Sequence, residues 1–155
     1  MIEENNLNHY YKNGLLIATV NCDWKCLKES NLSLDVCQNS HTNKMKTKTI
    51  EVSKLVCMFE ENLMSDCVIF AGLEPMLQIE EIVKFIEVFR VSNDSDVIIY
   101  TGYYKKEIED TVNRLKKYDN IIIKFGRFIP NVDSVYDNVL KIKLVSGNQY
   151  AEKIS

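Results

Sequence analysis

DCVIFAGLEPMLQIEEIVKFIEVF, residues 66–89, changes period partway along. Its first part, CVIFAG, is a continuous apolar run with β-branched residues, the pattern of a strand buried on both faces. After GLEP, where Pro75 and Gln78 suit a helix start, Ile79, Ile82, Val83, Ile86 and Phe89 step by three and four residues into one apolar helical stripe. A strand followed at once by a helix is half of a βαβ unit, and the same succession recurs on either side. Upstream, GLLIATV (14–20) reads as a strand, and Val52, Leu55, Val56, Phe59 and Leu63 read as a helix capped by Thr49. Downstream, DVIIYT (96–101) reads as a third strand, followed by a helix carrying Tyr104, Ile108, Val112 and Leu115, with Asp110 and Arg114 at the favourable i,i+4 spacing on its surface. NIIIKF (120–125) and VLKIKLV (139–145) read as strands four and five, and 146–155 as a tail.

Strands alternating with helices predict an α/β fold with a mainly parallel sheet of about five strands. Closing an eight-stranded barrel takes about 250 residues, so the expectation is a partial (βα) barrel forming a single domain over residues 1–155. With 46% hydrophobic residues there is enough apolar material for one core. The net charge of −3 argues against a nucleic-acid partner held by phosphate neutralisation. The N-terminal MIEENNLNHYYKNG is polar and acidic, and no run approaches the eighteen apolar residues of a membrane span. A cytoplasmic protein is expected.

The first strand delivers the chain to NCDWKCLKESNLSLDVCQNS, residues 21–40, which gathers three of the five cysteines and the only tryptophan. Three residues separate Cys22 from Cys26 and ten separate Cys26 from Cys37. This reads as a metal-binding loop, extending over residues 21–48. A structural zinc site fills four positions, whereas three protein ligands leave one open; three cysteines on a four-iron cluster likewise leave one iron free. The spacing alone settles neither metal. His41 could complete a Cys3His zinc site with them, although His41 and His9 also read as ordinary surface histidines. Cys57 and Cys67 read as packing cysteines. Trp24 reads either as a cover over the metal or as a loop tryptophan on the core edge.

In a parallel sheet or a barrel, ligands bind at the carboxyl ends of the strands. The cysteine loop, GLEP, YTG and KFGR each follow a strand directly, so all four are expected on one rim.

In that order, the cysteine loop, GLEPMLQ (72–78), YTGY (100–103) and SGNQ (146–149) resemble the radical S-adenosylmethionine enzymes, with closest similarity to the anaerobic ribonucleotide reductase activating proteins. The resemblance covers most of the chain from Gly14 onward. The family's CxxxCxxC is lengthened here between Cys26 and Cys37, although Cys37-Gln38-Asn39 keeps its C-x-N ending, and Leu73 stands where the family has a second glycine.

The resemblance implies that Cys22, Cys26 and Cys37 hold a [4Fe-4S] cluster and that Gly72 and Glu74 meet the methionine moiety of S-adenosylmethionine. It offers Thr101, Lys124 and Asn148, with Arg127, as further cofactor contacts. Their ordinary readings are a helix cap for Thr101 and a solvated rim for the others. The implied activity is reductive cleavage of S-adenosylmethionine to a 5'-deoxyadenosyl radical, with a glycyl radical enzyme such as anaerobic ribonucleotide reductase as partner and flavodoxin or ferredoxin as electron donor. A radical enzyme acting on a small molecule or peptide, and a non-catalytic zinc module, are the alternatives. Asp133 and Asp137 have no mechanistic role in any of these readings.

Overall fold

Strand and helix runs fall in the predicted alternation in the computed structural model, which describes residues 2–3 and 10–155. The strands are β1 (Ile2–Glu3), β2 (Gly14–Thr19), β3 (Cys67–Gly72), β4 (Asp96–Tyr100), β5 (Ile121–Phe125), β6 (Val135–Asp137), β7 (Ile142–Leu144) and β8 (Tyr150–Lys153); the helices are α1 (Lys25–Ser30), α2 (Val52–Glu61), α3 (Ile79–Phe89) and α4 (Glu109–Leu115). One sheet runs in the order β1-β2-β3-β4-β5-β8, parallel from β2 to β5 and antiparallel at both edges. Among the described residues no pairing joins β1 to β8, so this mixed α/β sheet is open. Its register is level at the functional end: Thr19 lies opposite Gly72, Phe70 opposite Ile99, and Tyr100 opposite Lys124.

Both faces of the central strands are apolar because both are covered. On one face Leu15, Val68, Phe70, Val97, Ile99, Ile121 and Ile123 pack against α2, α3 and α4. Phe70, Phe85, Phe89 and Phe59 form a chain of ring contacts with centroids 5.2, 5.2 and 5.0 Å apart, and truncating a buried phenylalanine such as these costs about 3–5 kcal/mol. On the other face Leu16, Ile69, Ala71, Ile98 and Ile122 lie under Tyr10, Leu140 and Leu144. There are thus no crossover helices on that second face among the described elements. The separate β6–β7 hairpin helps to close it.

Asp137 holds that hairpin in place. Its buried carboxylate accepts from Val139 N (3.0 Å), Leu140 N (2.8 Å) and Ala151 N (2.7 Å), so the role the sequence left open is structural.

Several sequence expectations are corrected. Residues 139–145 do not form the fifth strand of the sheet: Lys141 adopts a left-handed φ of 55°, which breaks the run, and only Ile142–Leu144 is extended, paired with β6. The supposed tail supplies β8 instead, antiparallel to β5. Helix α2 ends before Leu63, which is 96% exposed, and begins after Glu51 rather than at a Thr49 cap. Cys67 is a packing cysteine as expected, but Cys57 is exposed on α2. Tyr104 precedes a 3-10 turn over Lys105–Glu107 and α4 starts only at Glu109. Arg114 pairs across elements with Glu80 (2.5 Å) rather than with Asp110. No helix among the described residues is long and apolar enough to cross a membrane.

Candidate functional site

The segments that leave β2, β3, β4 and β5 enclose one cavity of about 380 Å³ at the carboxyl end of the sheet. Cys22, Cys26 and Cys37 line it from the first segment, Gly72, Leu73 and Glu74 from the second, Tyr100, Thr101 and Gly102 from the third, and Lys124 and Gly126 from the fourth. The convergence expected from the sequence is therefore realised. Phe128, Ile142, Leu144 and Val145 add an apolar wall, which the sequence could not announce because it depends on the hairpin folding back.

Two backbone features let the segments approach one another. Gly72 has φ of +89°, and a Cβ there would lie 3.1 Å from Thr19 O, so a side chain is excluded by conformation and by space. Gly126, with φ of +101°, would bring a Cβ to 2.9 Å from Asn148 O. The start of the cysteine loop is then pinned to the β3 segment by Glu74 N to Asn21 O (2.7 Å) and by Val20 N to the Gln78 side chain (2.8 Å).

Cys22 precedes Trp24, whose left-handed φ of 57° turns the chain into α1 and brings its N–H to 3.3 Å from Cys22 Sγ. Trp24 is half-buried and is not part of the cavity lining; it borders a surface groove with Leu27 and Leu32. Burial pushes the Cys22 thiol up to about 11, and burial, followed by the neighbouring Cys37, also raises Cys26. Bare, these two are thiols at neutral pH, so a metal taken up there would have to displace their protons.

Three soft sulfur donors line one cavity, a donor type that iron–sulfur clusters and zinc both take. His41, exposed and with Nδ1 3.1 Å from Gln38 O, is not in the lining, so it does not complete a fourth position. His9 lies outside the described residues.

Glu74 is the best-connected polar group of the site. Its Oε1 accepts from Thr101 Oγ1 (2.7 Å) and Met76 N (3.0 Å), and its Oε2 from Gly102 N (2.8 Å). Burial raises its pKa, while these three donors oppose the shift. Thr101 in turn accepts from Tyr103 N (3.0 Å). It therefore joins the β3 and β4 segments as well as capping its own turn.

Lys124 is buried too, and its ammonium donates to Gly126 O (2.9 Å). Burial pulls its pKa down to about 8, against the pull of Glu74 and Cys26. Arg127 is not a solvated rim residue: it is 4% exposed and ion-paired with Glu29 and Glu107. Asn148 sits outside the cavity, donating to Arg127 O (3.0 Å) and to the Tyr104 hydroxyl (3.3 Å), and its neighbour Gln149 lines the cavity instead. Gln149 stands in the same SGNQ motif, which therefore reaches the cavity through Gln149.

The sequence profile of a family described as a 4Fe-4S single cluster domain matches residues 15–150, from β2 into β8. No curated protein matches the chain. No solved structure matches it either.

Proposed function

The chain belongs to the 4Fe-4S single cluster domain family, and from that premise we propose that it is a radical S-adenosylmethionine enzyme whose cluster ligands are Cys22, Cys26 and Cys37. The observation that carries this reading is that three cysteines, and not four, share the cavity: Cys67 is buried in the sheet and Cys57 is exposed on α2. Three thiolates leave one iron for a second ligand. When bound and reduced, such a cluster supplies the electron that cleaves the carbon–sulfur bond of S-adenosylmethionine, giving methionine and a 5'-deoxyadenosyl radical.

The remaining groups have tasks suited to that ligand. A carboxylate offers about four acceptor positions, of which Glu74 uses three, so it retains capacity for the ligand's ammonium group. Lys124 uses one of three ammonium donors on Gly126 O and is suited to the ligand's carboxylate; such charge-assisted bonds are the strong kind. Gly72 lets the backbone come close, and Thr101 fixes the Glu74 carboxylate. Asn148 acts from outside the cavity by holding the Arg127 carbonyl. The apolar wall of Phe128, Ile142 and Leu144 excludes water.

We assign a glycyl radical enzyme, of the anaerobic ribonucleotide reductase kind, as the substrate, and flavodoxin or ferredoxin as the electron donor. An open, mainly parallel sheet with its helices on one face suits a partial (βα) barrel in which a partner's loop reaches the cavity at the carboxyl ends of the strands. Five unpaired cysteines suit the reducing cytoplasm.

Anaerobic reconstitution followed by a strong reductant tests the reading. The protein should convert S-adenosylmethionine to 5'-deoxyadenosine, and mixing with the partner reductase should give a doublet glycyl radical signal in electron paramagnetic resonance. A reducible four-iron cluster that yields no 5'-deoxyadenosine would overturn it, whereas 5'-deoxyadenosine without a radical on the reductase would remove only the partner.

A further inference from the structure

The stretch from Cys22 to Ser30 is fastened to the loops after β4 and β5 by its own side chains. Asp23 accepts from the Tyr103 hydroxyl (2.6 Å) and from Lys25 N (3.1 Å). Lys25 Nζ pairs with Glu107 Oε1 (2.5 Å). Glu29, one helical turn beyond Cys26, accepts from Arg127 Nη2 (2.9 Å), and Arg127 Nε lies 2.5 Å from its other oxygen, outside hydrogen-bonding geometry. Cys26 is thus bracketed by two ion pairs, and both lead to Glu107 and Arg127.

Those two form the centre of the arrangement. Arg127 donates to both Glu107 oxygens (2.7 Å each) and to Gly102 O (2.8 Å), and its guanidinium lies 4.8 Å from the Tyr104 ring centroid. Its side chain is 5% exposed, against 26% for Glu107 and 48% for Glu29. A guanidinium so buried needs its partners, and its planar fork can serve two carboxylates at once, which a lysine cannot. Helix α1, by contrast, has six residues and no side-chain cap at its start, too short to be stable by itself.

We propose that Arg127 is a positioning residue: with Glu107 it grips α1 on both sides of Cys26 and fixes the Cys26 thiol on the cavity before any metal arrives. Arg127 does not itself line the cavity, meeting its wall only at Gly102 O, and it acts on Cys26 through Glu29, Glu107 and Lys25. The inference rests on the reading of Cys26 as a cluster ligand, but its test is made on the metal-free protein and can fail separately.

Metal-free protein is alkylated anaerobically with iodoacetamide, and the rate at each cysteine is read by mass spectrometry in wild type, Arg127→Met, Arg127→Lys and Glu29→Gln. Loosening α1 should raise the Cys26 rate about tenfold in Arg127→Met, equivalent to about 1.4 kcal/mol easier local opening. The Cys37 rate should stay unchanged. Arg127→Lys should restore only part of the protection, and Glu29→Gln should raise the Cys26 rate by a smaller factor. Glu29 is exposed, so that variant reports even where Arg127→Met fails to fold. An unchanged Cys26 rate in Glu29→Gln together with either an unchanged rate or misfolding in Arg127→Met overturns the proposal, as does equal acceleration at Cys37. If Cys26→Ala retains the cluster after reconstitution, the ligand reading fails while the latch result stands.

Discussion

The stretch bearing Cys22 and Cys26 and the stretch bearing Cys37 belong to one loop but are held in different ways. The first is tied by Asp23, Lys25 and Glu29 to Tyr103, Glu107 and Arg127, some 80 to 98 residues away along the chain. The second, from Asn31 to Met45, has only short-range backbone bonds among the described residues: Asn31 N to Lys28 O and Leu32 N to Leu27 O join it to α1, and Val36 N to Ser33 O, Cys37 N to Leu34 O, Ser40 N to Cys37 O, Thr42 N to Asn39 O and Met45 N to Thr42 O run within it. Two thiols are therefore set on the folded scaffold, and the third is carried on a piece of chain that answers mainly to itself. On the proposed ligand set the lesson concerns the order of assembly: the scaffold would present Cys22 and Cys26, and metal binding would recruit Cys37.

The largest effect should come from the thiols themselves. Cys26→Ala and Cys37→Ala should each lose nearly all of the roughly four irons per chain bound after reconstitution, measured by iron assay and visible absorption. The comparison sharpens in the metal-free state, where Cys37→Ala should shift stability by less than about 0.5 kcal/mol in urea unfolding, as for surface sites generally. A substantial loss there would show that the Cys37 stretch is part of the fold.

An intermediate effect is expected at Lys124, which faces the thiols from β5. Lys124→Met should weaken S-adenosylmethionine binding about ten- to a hundredfold, the loss of one charge-assisted hydrogen bond worth about 1.5–3 kcal/mol. The sign of the pH dependence follows from burial. Because the lysine's pKa is pulled down to about 8, it is a cation below that value and loses its proton as pH rises through it. Affinity should therefore fall on going from pH 7 to pH 10, with the midpoint moved upward by the bound carboxylate, and calorimetry on Lys124→Met should show a flatter profile.

The smallest effect should come from the length of the Cys37 stretch. Inserting a glycine between Ser33 and Leu34 lengthens a locally bonded connection, for which loop-closure entropy changes only slowly. Iron content should survive, while the same insertion between Cys26 and Leu27, inside the gripped helix, should lower it. Equal losses at the two positions would erase the distinction between the stretches.

What the sequence revealed follows the same division. The parallel strands were legible because β2 to β5 are buried on both faces and so read as unbroken apolar runs, and the rim followed from where those runs end. Edge pairing was not legible: Tyr150–Lys153 buries only Ala151 and ends on two charged residues, so it reads as tail, while the apolar run at 139–145 is broken by a left-handed Lys141 that hydrophobicity cannot reveal. That the three thiols, Gly72, Glu74, Thr101 and Lys124 border one cavity was legible from their places at or beyond strand ends, whereas the roles offered for them came from the resemblance. The contacts of Glu29 and Glu107 were not, since each is an ordinary acidic residue until folding brings Arg127 between them. Arg127 itself was noticed for its place after β5, but its burial depends on those two partners.

The most direct measurement is the electron paramagnetic resonance spectrum of the reduced, reconstituted protein before and after S-adenosylmethionine is added. A cluster held by three cysteines offers that ligand an iron, so the account predicts a changed set of g-values on addition, restored when the ligand is removed. A well-formed reduced [4Fe-4S] spectrum that does not change at saturating S-adenosylmethionine would contradict it.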